Sequence, residues 1–199
     1  MSIHVSYHPF APAEVGSLYF DDMDRDVSIE RLALQLGLDA DARARLKSLL
    51  AHAGRARPEG ISLPQAHAHN LAKVSDLLRN CWYTNDCRFS ALLELPDFGH
   101  YATDWRDLMA DGTSRGRSAH ERFATRNDGV FLSCEALKRL RADYAGHAAV
   151  RSQLNRAFPR GWLAIFWAAA EYAVARDCGL IEAVNLVRPD AIAPSSLMA

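Results

Sequence analysis

The sequence predicts a mainly α protein, a single-domain bundle of about seven to nine helices round a buried central helix at about residues 161–177, with one short two-stranded ribbon at about 3–7 and 129–133. Three observations predict it. Residues 161–175, Gly-Trp-Leu-Ala-Ile-Phe-Trp-Ala-Ala-Ala-Glu-Tyr-Ala-Val-Ala, hold Glu171 as their only charge. A helix apolar all round belongs inside a core or a membrane, and this one falls short of the roughly 20 apolar residues that cross a bilayer. Most other apolar residues recur at helical spacing between capping signals. Only two short stretches read as strand.

The first strand has Ile3, Val5 and Tyr7 alternating with His4 and Ser6, and stops at Pro9. Helix follows over residues 28–36, with Ile29, Leu32, Ala33 and Leu36 on one face and Gly37 ending it. Residues 41–53 make a second helix on Ala42, Leu46, Leu49, Leu50 and Ala53, closed by Gly54. After a Gly/Pro loop, Ser62 and Gln65 form a capping box for a third helix that runs to about Tyr83. Asn85 or Asp86 starts a further helix that Leu95-Pro96 closes. Thr103 caps a short helix through Met109, residues 111–118 form a loop, and Ser118 with Glu121 caps a helix to about Arg126. The turn Asn127-Asp128-Gly129 leads into the second strand, Val130-Phe131-Leu132. Ser133 caps a helix with Leu137, Leu140 and Tyr144 inward, which continues past Gly146 to Phe158. Pro159 separates it from the central helix, which ends at Gly179. Residues 180–187 form one more apolar segment. The domain spans residues 1–190, and residues 191–199 form a frayed tail.

Of the 199 residues, 49% are hydrophobic, enough for a sizeable core and against disorder. The N-terminus has no basic region followed by an apolar run and no segment is long enough to span a bilayer, so the expected location is cytoplasmic, with Cys81, Cys87, Cys134 and Cys178 reduced. Net charge is -1, but the charges are segregated. Glu14, Asp21, Asp22, Asp24, Asp26, Glu30, Asp39 and Asp41 face only Arg25 and Arg31 in the first 41 residues. Arg43, Arg45, Lys47, Arg55 and Arg57 follow without an acid, and residues 115–160 hold ten bases against four acids. Such blocks mark partner surfaces of opposite sign or an internal fit between segments.

The chemical candidates each meet a plainer structural account. His67 and His69 are spaced for a metal on a strand, but on a helix they point about 200° apart. Asp22, Asp24 and Asp26 alternate as in a calcium loop, yet Val27 and Ala33 stand where that loop needs glycine and glutamate. No metal and no cofactor are expected. Residues 32–46 have the small and apolar spacing of a helix-turn-helix, but Arg43 breaks its packing, and Asp39 and Asp41 would repel phosphate. Arg115, Arg117 and Arg122 sit round a loop and helix start that suit an anion, with glycine spacing that matches no phosphate fingerprint. Cys134, in the first turn of a helix, is the best nucleophile candidate, with its histidine unassigned. Glu171, buried in the central helix, must pair or stay protonated.

The function expected is a non-catalytic protein-binding module of the bacterial immunity or antitoxin type. Asp21, Asp22, Asp24, Asp26 and Glu30 would meet a basic protein partner. Membrane partners are excluded, nucleic acid is disfavoured by the near-neutral charge, and self-association is left open. The alternatives are an enzyme built on Cys134 or Glu171, and nucleic-acid binding through residues 28–57 or 115–160.

Overall fold

The computed structural model describes residues 3–11, 25–52, 72, 74, 75, 78–102 and 130–184. At its centre is a four-stranded antiparallel sheet rather than a helix. The strands are β1 (His4–Phe10), β2 (Trp82–Asn85), β3 (Val130–Leu132) and β4 (Gly179–Val184), in the spatial order β2-β1-β4-β3. The helices are α1 (Arg25–Leu36), α2 (Ala40–His52), α3 (Cys134–Gly146), α4 (Ala148–Ala157) and α5 (Trp162–Val174). The fold is therefore mixed α/β, which corrects the expectation of a helical bundle. The two anticipated strands both form, but they do not make a ribbon with each other. β4 lies between them, with Val5 opposite Val184 and Leu132 opposite Leu180.

β4 is buried along its whole length, and so is β1 from Val5 onward. A strand covered on both faces carries a continuous apolar run instead of an alternation, which is why residues 180–187 give no strand signal by period. β1 also runs through Pro9. β2 has already ended opposite Tyr7, so the side of Pro9 away from β4 has no ladder to complete. On that side the Ser75 hydroxyl donates to the Pro9 carbonyl at 2.6 Å. A proline in this register removes no ladder hydrogen bond.

One face of the sheet carries Val5, Tyr7, Val130, Leu132 and Leu180 into the main core, where they meet Leu137, Leu140, Val150, Leu154 and Phe158. Phe166 of α5 sits at the middle of this layer, edge-on to Tyr7 at 5.4 Å and stacked on Phe89 at 5.6 Å. The opposite face carries Ser6, His8, Phe10, Phe131, Ile181 and Ala183, all buried too.

α5 forms where the sequence places it, but it is not a rod surrounded by other helices. It buries Phe166, Trp167, Ala169, Ala170 and Ala173 and turns Ala164, Ala168 and Glu171 to solvent. Alanine counts as apolar yet exposes little surface and is the best helix former, so it does not by itself signal burial. Trp82–Asn85 is a strand where a helix end was expected, and the helix expected from Asn85 or Asp86 to Leu95 is reduced to the 3-10 turn Ser90–Leu92, with a second 3-10 turn, Gly99–Tyr101, beyond it.

Candidate functional site

Ser133 caps α3 by accepting the Ala136 amide at 3.1 Å, and Leu137 and Leu140 then point into the core. That orientation leaves Lys138 and Arg141 on the outer side, next to α5. On α5, Trp167, Ala170, Glu171, Val174 and Ala175 fall one to two turns apart and share a stripe. Because alanines occupy two of these positions, the two helices leave a furrow between them. It encloses about 350 Å³ and is open to solvent. Leu137, Trp167, Ala170 and Val174 give it an apolar floor, and Lys138, Arg141 and Glu171 stand round it.

Ion pairs frame the furrow. Arg141 pairs with Glu171 at 3.0 Å and lays its guanidinium 4.7 Å from the centre of the Trp167 ring. Lys138 pairs with Glu135 at 2.9 Å and stands 3.9 Å from Asp177. Asp177 holds a left-handed backbone (φ 55°) just past the end of α5, where the Cys178 amide returns to the Ala173 carbonyl at 2.9 Å. This places its carboxylate 3.6 Å from the Cys134 thiol. Trp167 is 8% exposed, and its indole N–H has no acceptor among the described residues.

Two residues that the sequence singled out separately, Cys134 and Glu171, thus lie along the same pair of helices. Neither is in the state expected of a catalytic group. Burial raises the Cys134 thiol above its ordinary value, against the lowering effect of Lys138, and its hydrogen bond to Asp177 raises it further. Among the described residues its polar neighbours are Asp177 and Lys138. Glu171 is exposed rather than buried, and neutralised by Arg141.

Among the described residues the fully buried carboxylate is Glu182 on β4, which the sequence reading passes over. Its Oε2 accepts the Phe89 amide at 2.5 Å, and the Ser90 amide lies 3.3 Å from both carboxylate oxygens. The Tyr7 hydroxyl is 3.1 Å from Glu182 and 3.0 Å from the Cys87 carbonyl. Burial pushes the Glu182 carboxyl above the ordinary glutamate range, against the hydrogen bonds from Ser90, Phe89 and Tyr7 that favour its charge. Burial and the neighbouring Glu182 likewise push the Tyr7 hydroxyl well up. This carboxyl ties β4 to the start of the 3-10 turn at Ser90–Leu92. With 1% of its surface exposed it cannot meet a substrate as the structure stands.

The other candidates are placed as follows. Glu30 on α1 pairs with Arg43 at 3.2 Å and Lys47 at 2.8 Å on α2, and Lys47 foremost holds its carboxyl below the usual range. At this residue the acidic block therefore meets the basic block of its own chain. Asp26 lies in α1, but its side chain, like Asp21, Asp22, Asp24, Arg115, Arg117, Arg122, His67 and His69, falls outside the described residues. Among the described residues no cluster of three His, Cys, Asp or Glu side chains is arranged to hold a metal. No helix described is long and apolar enough to cross a membrane. All four cysteines are free thiols. No family model matches the chain, and no curated protein or solved structure is significantly similar to it.

Proposed function

We propose that this chain is a non-catalytic protein-binding module, working in the reducing cytosol, whose binding face is the furrow between α3 and α5. One observation carries the reading: an open, apolar-floored groove of about 350 Å³, framed by exposed ion pairs, on a surface assembled from two regular helices. Furrows of this shape receive side chains projecting from a partner, whereas small-molecule sites enclose most of their ligand. The state of Cys134 and Glu171 supports binding over catalysis, since one thiol is held protonated and one carboxylate is neutralised. An immunity- or antitoxin-type role is one member of the class.

The test is to isolate the native complex, identify the partner and rebuild it from purified components. Ala175 is exposed at the end of the groove, so Ala175→Trp should fill it without disturbing the core. The variant is expected to keep its melting temperature and bind the partner at least about tenfold more weakly. A complex indifferent to Ala175→Trp but abolished by charge reversal at Asp22, Asp24 and Asp26 would move the interface to the acidic segment. A chain that remains alone at native concentration would overturn the reading altogether.

A further inference from the structure

We infer that Cys134 and Cys178 form a reversible disulfide when a small disulfide such as oxidised glutathione accumulates, tying the start of α3 to the turn between α5 and β4. Such a bridge neither needs nor excludes a partner at the furrow. The sheet sets the two residues opposite each other. β3 and β4 pair Val130 with Glu182, Phe131 with Ile181 and Leu132 with Leu180. Two steps further, the same register puts Cys134 across from Cys178. Ser133 keeps an extended backbone (φ -65°, ψ 162°), and the dihedrals of one residue fix where the next Cα stands, so Cys134 is placed before α3 turns away. On the other strand Gly179 still belongs to β4, paired with Phe10. The backbones are close there, since a methyl group on Gly179 would come within 2.7 Å of the Leu132 carbonyl oxygen. Directly opposed residues of an antiparallel pair have Cα atoms roughly 4.5–5.5 Å apart, inside the roughly 4.4–6.8 Å over which a disulfide closes.

The side chains converge as well. Cys178 is buried in the main core with Leu180 and with Leu137 of α3. The Cys134 thiol is half-buried and already lies 3.6 Å from the carboxylate of Asp177, the residue before Cys178. Cys178 now meets the Arg176 carbonyl at 3.5 Å. A turn of each side chain about its Cα–Cβ bond, between staggered positions, brings sulfur to sulfur without moving a strand. In the exchange, the Cys134 thiolate attacks one sulfur of glutathione disulfide and releases one glutathione thiolate. The Cys178 thiolate then attacks the Cys134 sulfur of the mixed disulfide and releases the second. The protein loses two hydrogens with their electrons, and the small disulfide becomes two thiols. The fold holds the pair together in advance, which raises the effective concentration of one thiol at the other far above that in a loose chain. Burial keeps Cys134 protonated at neutral pH, so closure is slow, and makes it a poor leaving group, so reduction is slow too. Cys81 and Cys87 flank β2, at the far edge of the sheet from β3, and serve as internal controls.

The test equilibrates the full-length chain with glutathione disulfide and glutathione at about pH 8, natively and in denaturing urea, quenches in acid, and counts and maps the remaining thiols by mass spectrometry. Natively, two of the four thiols should close into one bridge within a single chain, joining the peptides that carry Cys134 and Cys178. The equilibrium constant should fall at least about tenfold in urea, where the fold no longer holds the pair. The oxidised chain should melt at least about 3 °C higher, and dithiothreitol should reverse the shift. Cys134→Ser and Cys178→Ala should each abolish the bridge, and Cys134→Ser, at a half-buried position, should melt at the same temperature in oxidising and reducing buffer. A bridge to Cys81 or Cys87, a crosslink between chains, glutathione left on Cys134 without closure, four free thiols at equilibrium, or a constant unchanged in urea overturns the inference. So does an oxidised chain that melts no higher than the reduced one, because the pair would then meet only by straining the fold.

Discussion

Glu182 is the residue whose chemistry the fold constrains most. Its carboxyl accepts two backbone amides and touches Tyr7, yet burial still raises its pKa above the ordinary value of 4.5. A folded-state pKa above the unfolded one means that the stabilisation is complete below about 4.5 and declines as pH rises through the folded value. Glu182→Gln keeps an acceptor for Phe89 and Ser90 and never ionises. Its stability relative to the parent chain should therefore increase with pH in urea melts from acid to neutral. Glu182→Leu orphans two buried amides and should lose on the order of 3 kcal/mol at acid pH, where the parent carboxyl is neutral, with the deficit shrinking as pH rises. The residue was legible in principle. One acid in an apolar run draws attention to Glu171, and the same argument applied to residues 180–187 selects Glu182. Glu171 lies on a helix, where its stripe can face solvent; on a strand buried on both faces, no orientation reaches water. Cys134 makes a second case at this scale. Its raised thiol should alkylate more slowly at neutral pH than an ordinary exposed cysteine and accelerate as pH rises. Lys138→Ala should slow it further, because Lys138 is the neighbour that lowers its pKa.

Among the elements, the β3–β4 pair depends on Gly179. A methyl group added there would stand 2.3 Å from the Phe131 ring and 2.7 Å from the Leu132 carbonyl oxygen. A flexible side chain can move away from such a contact, but a paired strand backbone cannot. Gly179→Ala should therefore cost at least about 1–3 kcal/mol in chemical denaturation. Adding Phe131→Leu should recover only the ring's share, since the clash with the Leu132 carbonyl persists. Full recovery in the double variant would place the whole penalty on the ring. Helix positions were the readable part of this architecture. Ser133 caps α3, Gly37 ends α1 with φ 65°, and α5 lies within the expected segment, because caps and 3.6-residue periods are local signals. Which side of α5 would be buried was not local. Its alanines are equally suited to core and surface, and only packing of Phe166 against Tyr7 and Phe89 decides the matter. The groove was hidden for the same reason: it exists because the side chains that would fill it are alanines, and it needs α3 alongside.

In the whole molecule the first and last described strands lie side by side. Val5 pairs with Val184 and Phe10 with Gly179, so the central ladder closes almost the entire chain. No short-range signal in a sequence can announce such a partner, and for that reason two strands could be found while the sheet order could not. The same arrangement has a measurable consequence. Contacts between distant parts of a chain form late and slowly, because the entropy of closing the loop must be met before they are made. Once formed, β1 and β4 have neighbours on both sides and are buried on both faces, while β2 and β3 are the edges. Native-state hydrogen exchange should therefore find the slowest amides among the paired positions of β1 and β4, opening only with global unfolding, and faster exchange in β2 and in the α1–α2 hairpin. A chain cut after Asp177 loses the strand that bridges β1 and β3 and should lack cooperative unfolding altogether, since β1 keeps only its pairing with β2 at residues 4–7 and β3 keeps no ladder. Protection in α3–α5 that outlasts protection in β1 and β4, or a cooperative melt in the truncated chain, would mean that the helices form an independent core and that the sheet is secondary to it.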